Sequence, residues 1–536
     1  MNDNNAINSN PQSQYVSAVQ TADPSPQPER SIRDFTRLER AFAWLSFVFG
    51  YLFCRAFPVK DSPLGGFLFV SILFVVTASI LKLKGCKFTV MPVVLALSAI
   101  AVSVSLIIAD NSFIYFFAYS YALAVYCYFI YAVVGTSMQA GFSDYILADF
   151  FKALFVSPFF AFTQLFKGMF SGRAKSGGKF ISKTLLGIAL AIIPTAIVLA
   201  LLCYDDSFYE LLCRIFDFNL ADIFSHIFSL GFAIPIGMYI YGLFISSSDK
   251  LCEEIMTADE CSKGFRKMRI APRVTILVAA IPVLLVYVVF FISQLDYYVS
   301  GFTGYLPSYL SYAQYAREGF FQLCTVSVIN LVIILLALMF MKRKTEKPPV
   351  SLKILTVIYS LFTLVLISTA ISKMVMYIDY YGLTQKRVYA TWFMILLAII
   401  FIIIALKQFI PRIKAIAGCF AVCVILFAAL SLSNVDAHIA QYNVDRYMSG
   451  TLEQLDIDDF EDLGDSAIPE MVRLYNHLLE NKNSGLSMDD SLNYALLKSE
   501  LEYRATCLKN QDGEIFSFNI PASRAKKALR ESGFLQ

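Results

Sequence analysis

In a chain this poor in charge, the ionisable residues flanking apolar runs are the ones whose types and spacing can do chemistry. Arg317 and Glu318 open one such run in YAQYAREGFFQL, and Asp379, Lys386 and Arg387 follow another in SKMVMYIDYYGLTQKRVYATWF. Charge near hydrocarbon is costly and tends to be kept where it pairs or binds. Arg317 is expected to pair with Asp379, and Arg387 with Glu318, across neighbouring helices. Asn443 and Arg446 lie three apart on one face of a later helix and are expected to dock beside Asp379. Arg317, Glu318, Asp379, Arg387, Asn443 and Arg446 therefore form a candidate polar site for a charged headgroup or solute. Ion pairs that only fix helix register would use the same residues.

Other chemistry has less support. SGRAKSGGKF (171–180) resembles a phosphate loop in composition. Its second glycine is displaced and Phe180 follows Lys179, where a hydroxyl is needed for the metal. It reads as a flexible basic loop. His226, His438 and His477 are far apart and lack partners at ligand spacing, so no metal is expected. There is no GxSxG elbow and no HExxH. No catalytic residue and no cofactor is expected. Cys54, Cys127, Cys203 and Cys419 fall in apolar stretches and read as small hydrophobes. No disulfide framework is legible among the 11 cysteines.

The elements that must position the candidate site are membrane helices. The 536 residues are 57% hydrophobic and 16% charged, against about 25% charged in ordinary soluble domains. Net charge is only +3, which gives no footprint for nucleic acid. A crossing needs about twenty mostly apolar residues. Eleven stretches qualify, near 41–57, 65–83, 88–109, 112–134, 184–204, 224–246, 274–293, 320–341, 352–372, 389–406 and 415–432. The loops between them alternate between basic and nearly free of Lys and Arg. One set holds 27 basic residues and the other, Lys60, Arg214, Arg317, Lys373, Lys386 and Arg387, holds 6. The positive-inside rule then predicts a cytoplasmic N-terminus. With eleven crossings, everything past residue 433 lies outside.

Three segments fall outside this pattern. Residues 1–34, rich in Asn, Gln, Ser and Pro, read as a disordered leader. Residues 142–170 read as an amphipathic helix at the inner interface, or a re-entrant pair broken at Pro158. The outer loop 294–319 carries Tyr297, Tyr298, Tyr305, Tyr309, Tyr312 and Tyr315, which suits an interfacial belt or an aromatic vestibule.

Residues 433–536 regain charge and show helical periodicity. In SAIPEMVRLYNHLLENKN, Ile468, Met471, Val472, Leu474, Leu478 and Leu479 mark one face, with Ser466 as cap. A second helix is expected after Ser487 and a last one over IPASRAKKALRESGF. Together they predict a small helical domain.

YAREGFF, YIDYYGLTQKRVYATWFM and NVDAHIAQYNVDRYMSGTLEQLDIDDFEDLGDSAIPEMVRLY resemble a family of bacterial polytopic membrane proteins. It is the domain of unknown function 4173 family, close to family 4153, and the resemblance covers about residues 270–536. YGLT-x-x-R-x-YA is matched by Tyr381, Gly382, Leu383, Thr384, Arg387, Tyr389 and Ala390. N-x-D-x-x-IA-x-x-N-x-x-R is matched by Asn434, Asp436, Ile439, Ala440, Asn443 and Arg446. FNIPASRAKKAL is similar to the family's closing helix. The resemblance implies a bacterial cytoplasmic-membrane location and no known chemistry.

The expectation is thus an all-α polytopic integral membrane protein with about eleven transmembrane helices and an extracytoplasmic helical domain. A leader (1–34), a membrane domain (35–432) and that domain (433–536) divide the chain. Its function is expected to be non-enzymatic, in binding, sensing or scaffolding. A transporter or lipid-handling protein is the alternative, and an integral-membrane enzyme ranks below both. Its partners are the lipid bilayer and, at the basic inner loops, anionic lipid.

Overall fold

The computed structural model describes residues 34–56, 62–171 except 140, and 220–535 apart from 253, 304–319, 344–346, 453–454, 482–486 and 511–514. Only scattered positions are described between 172 and 219. Among the described residues every regular element is a helix, and the only β contact is an isolated bridge between Ala271 and Met341.

Nine of these helices are long and apolar enough to cross a membrane. They are α2 (Pro63–Leu83), α3 (Val90–Ile108), α4 (Ser112–Val133), the Ser225–Ser248 part of α7 (Leu220–Ser248), the Arg273–Ser293 part of α9 (Arg273–Thr303), α10 (Phe320–Phe340), α11 (Val350–Tyr381), α12 (Gln385–Phe409) and α13 (Ala415–Leu432). Each matches an expected span. The first expected span forms α1 (Arg37–Ala56), but Glu39 and Arg40 at one end and Arg55 at the other leave it short of a full apolar crossing. The fifth, 184–204, lies largely outside the described residues. The segment 142–170 folds as α5 (Ile146–Phe160) and α6 (Gln164–Phe170), bent by 60°, and this pair counts as a tenth crossing if it is one broken span. The break falls at 161–163, just after Pro158, and a π-turn spans Lys152–Val156. α9 continues through 294–303, where the sequence predicts a loop. The rest of that loop, with Tyr305, Tyr309, Tyr312 and Tyr315, lies outside the described residues.

The spanning helices pack as two groups. In the first, α1 crosses α7 through small residues. A Cβ on Gly237 would stand 3.0 Å from the Ser46 carbonyl oxygen, and one on Gly50 would overlap the Ala233 carbonyl. Such contacts let helix backbones approach where lipid supplies no hydrophobic drive. In the second group, α9, α10 and α11 are joined by a buried polar chain. The Tyr287 hydroxyl donates to Asn330 Oδ1 at 2.5 Å, and Asn330 Nδ2 donates to Thr363 Oγ1 at 2.9 Å. α8 (Ala258–Met268) is a short helix with no buried residue, opened by a Thr257–Glu260 capping box.

The C-terminal helices α14 (Val435–Met448), α15 (Ile468–Asn481), α16 (Met488–Asn510) and α17 (Ile520–Glu531) share their own apolar core, centred on Ile439, Phe460, Met471, Leu474, Leu501 and Leu529. Five of the six face residues read from α15 are buried in it, while Leu479 is 43% exposed. Ser487 caps α16 through the Asp490 amide. Ser466 does not serve as the expected cap, because a 3₁₀ turn precedes α15 and its hydroxyl donates to Asn434 Oδ1 instead.

The loops gather at two ends in an alternating order. At one end Lys84 pairs with Glu39 at 3.0 Å, Arg40 reaches the Ser171 carbonyl, and Lys414 donates to the Phe142 carbonyl. At the other end Arg55 meets Ser225, and the C-terminal helices meet residues 65, 110–111 and 381–385. The basic loops and the C-terminal helices therefore occupy opposite ends.

Candidate functional site

The candidate site is built where three spanning helices end under α14. At about 1.5 Å per residue the 32-residue α11 rises roughly 48 Å, against about 30 Å of hydrocarbon. The helix is therefore longer than the hydrocarbon is thick, and Asp379 lies in its last turn. Gly382 stops the helix with φ +76°, a conformation glycine adopts without Cβ strain.

The turn after Gly382 is gripped by α14. Asn443 Oδ1 accepts from the Leu383 amide at 2.7 Å, and its Nδ2 donates to the Leu383 carbonyl at 2.8 Å. One side-chain amide thus replaces a strand partner for Leu383. A Cβ at residue 382 would stand 2.5 Å from Asn443 Oδ1, so glycine is also needed for space.

Two arginines close the end of α11. Arg387 donates to the carbonyls of Tyr381 (3.0 Å) and Gly382 (2.6 Å) and lies 4.3 Å from the Tyr377 ring centroid. Arg446 donates to the Ile378 carbonyl at 3.4 Å, to the Thr451 carbonyl at 2.8 Å, and approaches Asp379 to 3.6 Å. Cations at a helix C-terminus satisfy its orphan carbonyls and oppose its dipole.

The deepest contact belongs to Asp436, which is 1% exposed. Its carboxylate accepts from Asn111 Nδ2 at 3.1 and 3.3 Å and from Gln385 Nε2 at 2.8 Å. Asn111 is the N-cap of α4, where its Oδ1 accepts from the Phe113 and Ile114 amides. Gln385 is the first residue of α12 and also donates to the Asp462 carbonyl at 2.7 Å. Asn434 takes the left-handed conformation at φ 44° and caps α14. Asp110 accepts from the Asp465 amide at 3.0 Å. Burial, with a smaller push from Asp110, holds the Asp436 carboxyl up at about 6 against the pull of Asn111 and Gln385.

Of the six candidate residues, Asp379, Arg387, Asn443 and Arg446 converge on the end of α11. Arg317 and Glu318 lie outside the described residues. Asp379 is met by Arg446, which the sequence places beside it, and the expected pairing of Asp379 with Arg317 lies outside the described residues. The structure adds Asp110, Asn111, Gln385 and Asp436, which sequence reasoning does not single out as site members. A short hydrophilic break between two apolar runs, Asp110–Asn111, is the signal that could have found them. Tyr51 and His226 share a hydrogen bond of 2.7 Å near the same end, and no group of three His, Cys, Asp or Glu side chains suited to a metal occurs among the described residues.

A family model described as domain of unknown function DUF4153 matches residues 96–474. It covers both motifs of this site and reaches well into the N-terminal half. The resemblance read from the motifs points to the neighbouring 4173 family and to the C-terminal half alone. No curated protein and no solved structure matches the chain.

Proposed function

From a chain that belongs to the DUF4153 family, an integral membrane protein by its apolar helices, we propose a binding or sensing role with no covalent chemistry. The C-terminal helices (433–536) form an extracytoplasmic domain of a bacterial cytoplasmic-membrane protein. They receive a ligand or partner and pass its effect to the spanning helices. The observation that carries this reading is the Asp436 carboxylate, held at once by the N-cap of α4 and the first residue of α12. Any displacement of α14 must pull on both helices or break those bonds. Energetic coupling travels through such packed, hydrogen-bonded contacts. The polar ring of Asp379, Arg387, Asn443 and Arg446 sits at the same seam. The basic loops at the far end then face the cytoplasm, where anionic lipid is the fitting partner.

The test is directional labelling. A tag at the C-terminus of the full chain should react with a membrane-impermeant reagent in intact spheroplasts. A tag placed before residue 34 should react only after lysis. The reverse pattern would remove the extracellular role given to the C-terminal helices.

A lipid-handling reading is favoured by one cavity. It holds about 330 Å³ between α9, α10 and α11, at the lower end of ligand-pocket sizes. Tyr287, Leu323 and Leu366 line it together with Gln322, Thr369 and Lys373. That mixture suits an acyl chain with a polar head. Native mass spectrometry should find co-purified lipid reduced in Val326→Trp, which fills the cavity. Equal lipid retention would leave this reading without support.

A further inference from the structure

The turn between α16 and α17 carries three large apolar side chains that the C-terminal helices do not cover. Ile515 is 79%, Phe516 56% and Phe518 50% exposed. None belongs to the apolar core those helices share. On a segment otherwise solvated by charge, a cluster this dense marks a surface that another phase or molecule covers.

Its position says what covers it. The 3₁₀ turn Ile515–Ser517 lies against the first turn of α2, with Phe516 Cβ 3.8 Å from the place a side chain at Gly65 would occupy. α2 has 21 residues and rises roughly 31 Å at about 1.5 Å per residue, matching the hydrocarbon thickness of about 30 Å. The start of α2, Pro63–Gly66, therefore marks the boundary between acyl chains and headgroups. Side chains packed there and turned away from protein meet lipid. Aromatic rings favour that zone. Arg524 and Lys527, both exposed, follow on α17 and carry the charge that anionic headgroups attract.

We propose that the Ile515–Phe518 turn dips into the headgroup boundary of the leaflet beside α2 and anchors the C-terminal helices to the lipid surface. The anchor is independent of the Asp436 contact and of which side of the membrane the C-terminal helices occupy.

The test uses the full chain in nanodiscs with Phe516→Trp, read as the fluorescence added over the wild type and its two native tryptophans. Lipids brominated near the headgroup should quench the added signal more than lipids brominated deep in the chain, while aqueous iodide should quench it little. Glu480→Trp, on an exposed stretch of α15, serves as the solvated reference and should show the opposite pattern. A second variant, Ile515→Ser with Phe516→Ser and Phe518→Ser, should raise hydrogen exchange across 515–531 in nanodiscs at least several-fold without changing the spanning helices. If Phe516→Trp is quenched by iodide as strongly as Glu480→Trp, the turn lies in water and the proposal is wrong. If neither bromine nor iodide reaches it, a second copy or another protein covers it, which also overturns the proposal. Brominated lipid in both leaflets keeps this outcome separate from the orientation test above.

Discussion

Asn111 Nδ2 donates to both carboxylate oxygens of Asp436, at 3.1 and 3.3 Å, across 325 residues of sequence. The same asparagine holds the amides that open α4. One side chain therefore starts a spanning helix and fastens the C-terminal helices to it.

Asp436→Ala leaves the buried Asn111 Nδ2 without the carboxylate it donates to, while Gln385 Nε2 keeps the Asp462 carbonyl. An orphaned buried donor costs about 1–3 kcal/mol. The full chain should lose several degrees of thermal stability, and α14 should exchange its amides faster. Asp436→Asn, which keeps one acceptor oxygen, should cost less. Equal stability of Asp436→Ala and wild type would contradict the assignment.

The same carboxyl sets a pH dependence. Its acidity in the docked state is weakened to about 6, chiefly by burial, whereas a solvated aspartate titrates near 3.9. A group raised in this way adds stability that is full below the lower value and is lost as pH climbs through the upper one. Attachment of α14 should therefore strengthen as pH falls from about 7 towards 4, by up to roughly 3 kcal/mol. Hydrogen exchange of α14 against pH measures it. Asp436→Asn should flatten the profile.

Gly382→Ala should be costly despite its small size. The residue sits at φ +76°, and the new methyl would press on Asn443 Oδ1. Left-handed strain for a non-glycine residue costs about 1–3 kcal/mol, and displacement of Asn443 adds to it. Protection of the Leu383 amide should fall with it.

Asp379 and Arg446 should prove unequal. Asp379 is 64% exposed and 3.6 Å from its partner, and such surface pairs contribute about 0–1 kcal/mol. Asp379→Ala should barely move thermal stability. Arg446→Ala should cost more, because it also removes donors to Ile378 and Thr451.

Close helix crossing gives the remaining prediction. Gly50→Leu forces a side chain into the Ala233 carbonyl, and overpacking of this kind costs about 1–3 kcal/mol or more. The variant should show reduced yield of folded protein by size-exclusion profile.

Much of this arrangement is written in residue types that physics constrains locally. Apolar length marks the spanning helices, because hydrocarbon excludes charge over any sequence. Gly382, Leu383 and Arg387 stand in one motif, and Asp436, Asn443 and Arg446 in another. The structure joins the two motifs as opposite halves of one seam. What stays hidden in the sequence is pairing across distance. No local pattern says that Asn443 will hold both the amide and the carbonyl of Leu383. Asp436, two residues past Asn434, reads from the sequence as an alternative cap of the helix it opens. Only the fold turns it towards Asn111. The broken pair α5 and α6 is visible as mixed polarity near Pro158, but its 60° bend and the Ser157 contact with Ser246 on α7 are not recorded in any local pattern.

The central claim, that Asn111 and Asp436 fasten the C-terminal helices to the membrane bundle, is tested most directly by a double-mutant cycle. Asn111→Ala, Asp436→Ala and the combined variant would be compared by thermal unfolding of the full chain in nanodiscs. The combined variant should lose little more than the worse single one, a coupling of about 1 kcal/mol or more. Losses that simply add would show that the two side chains act apart, and the central claim would be wrong.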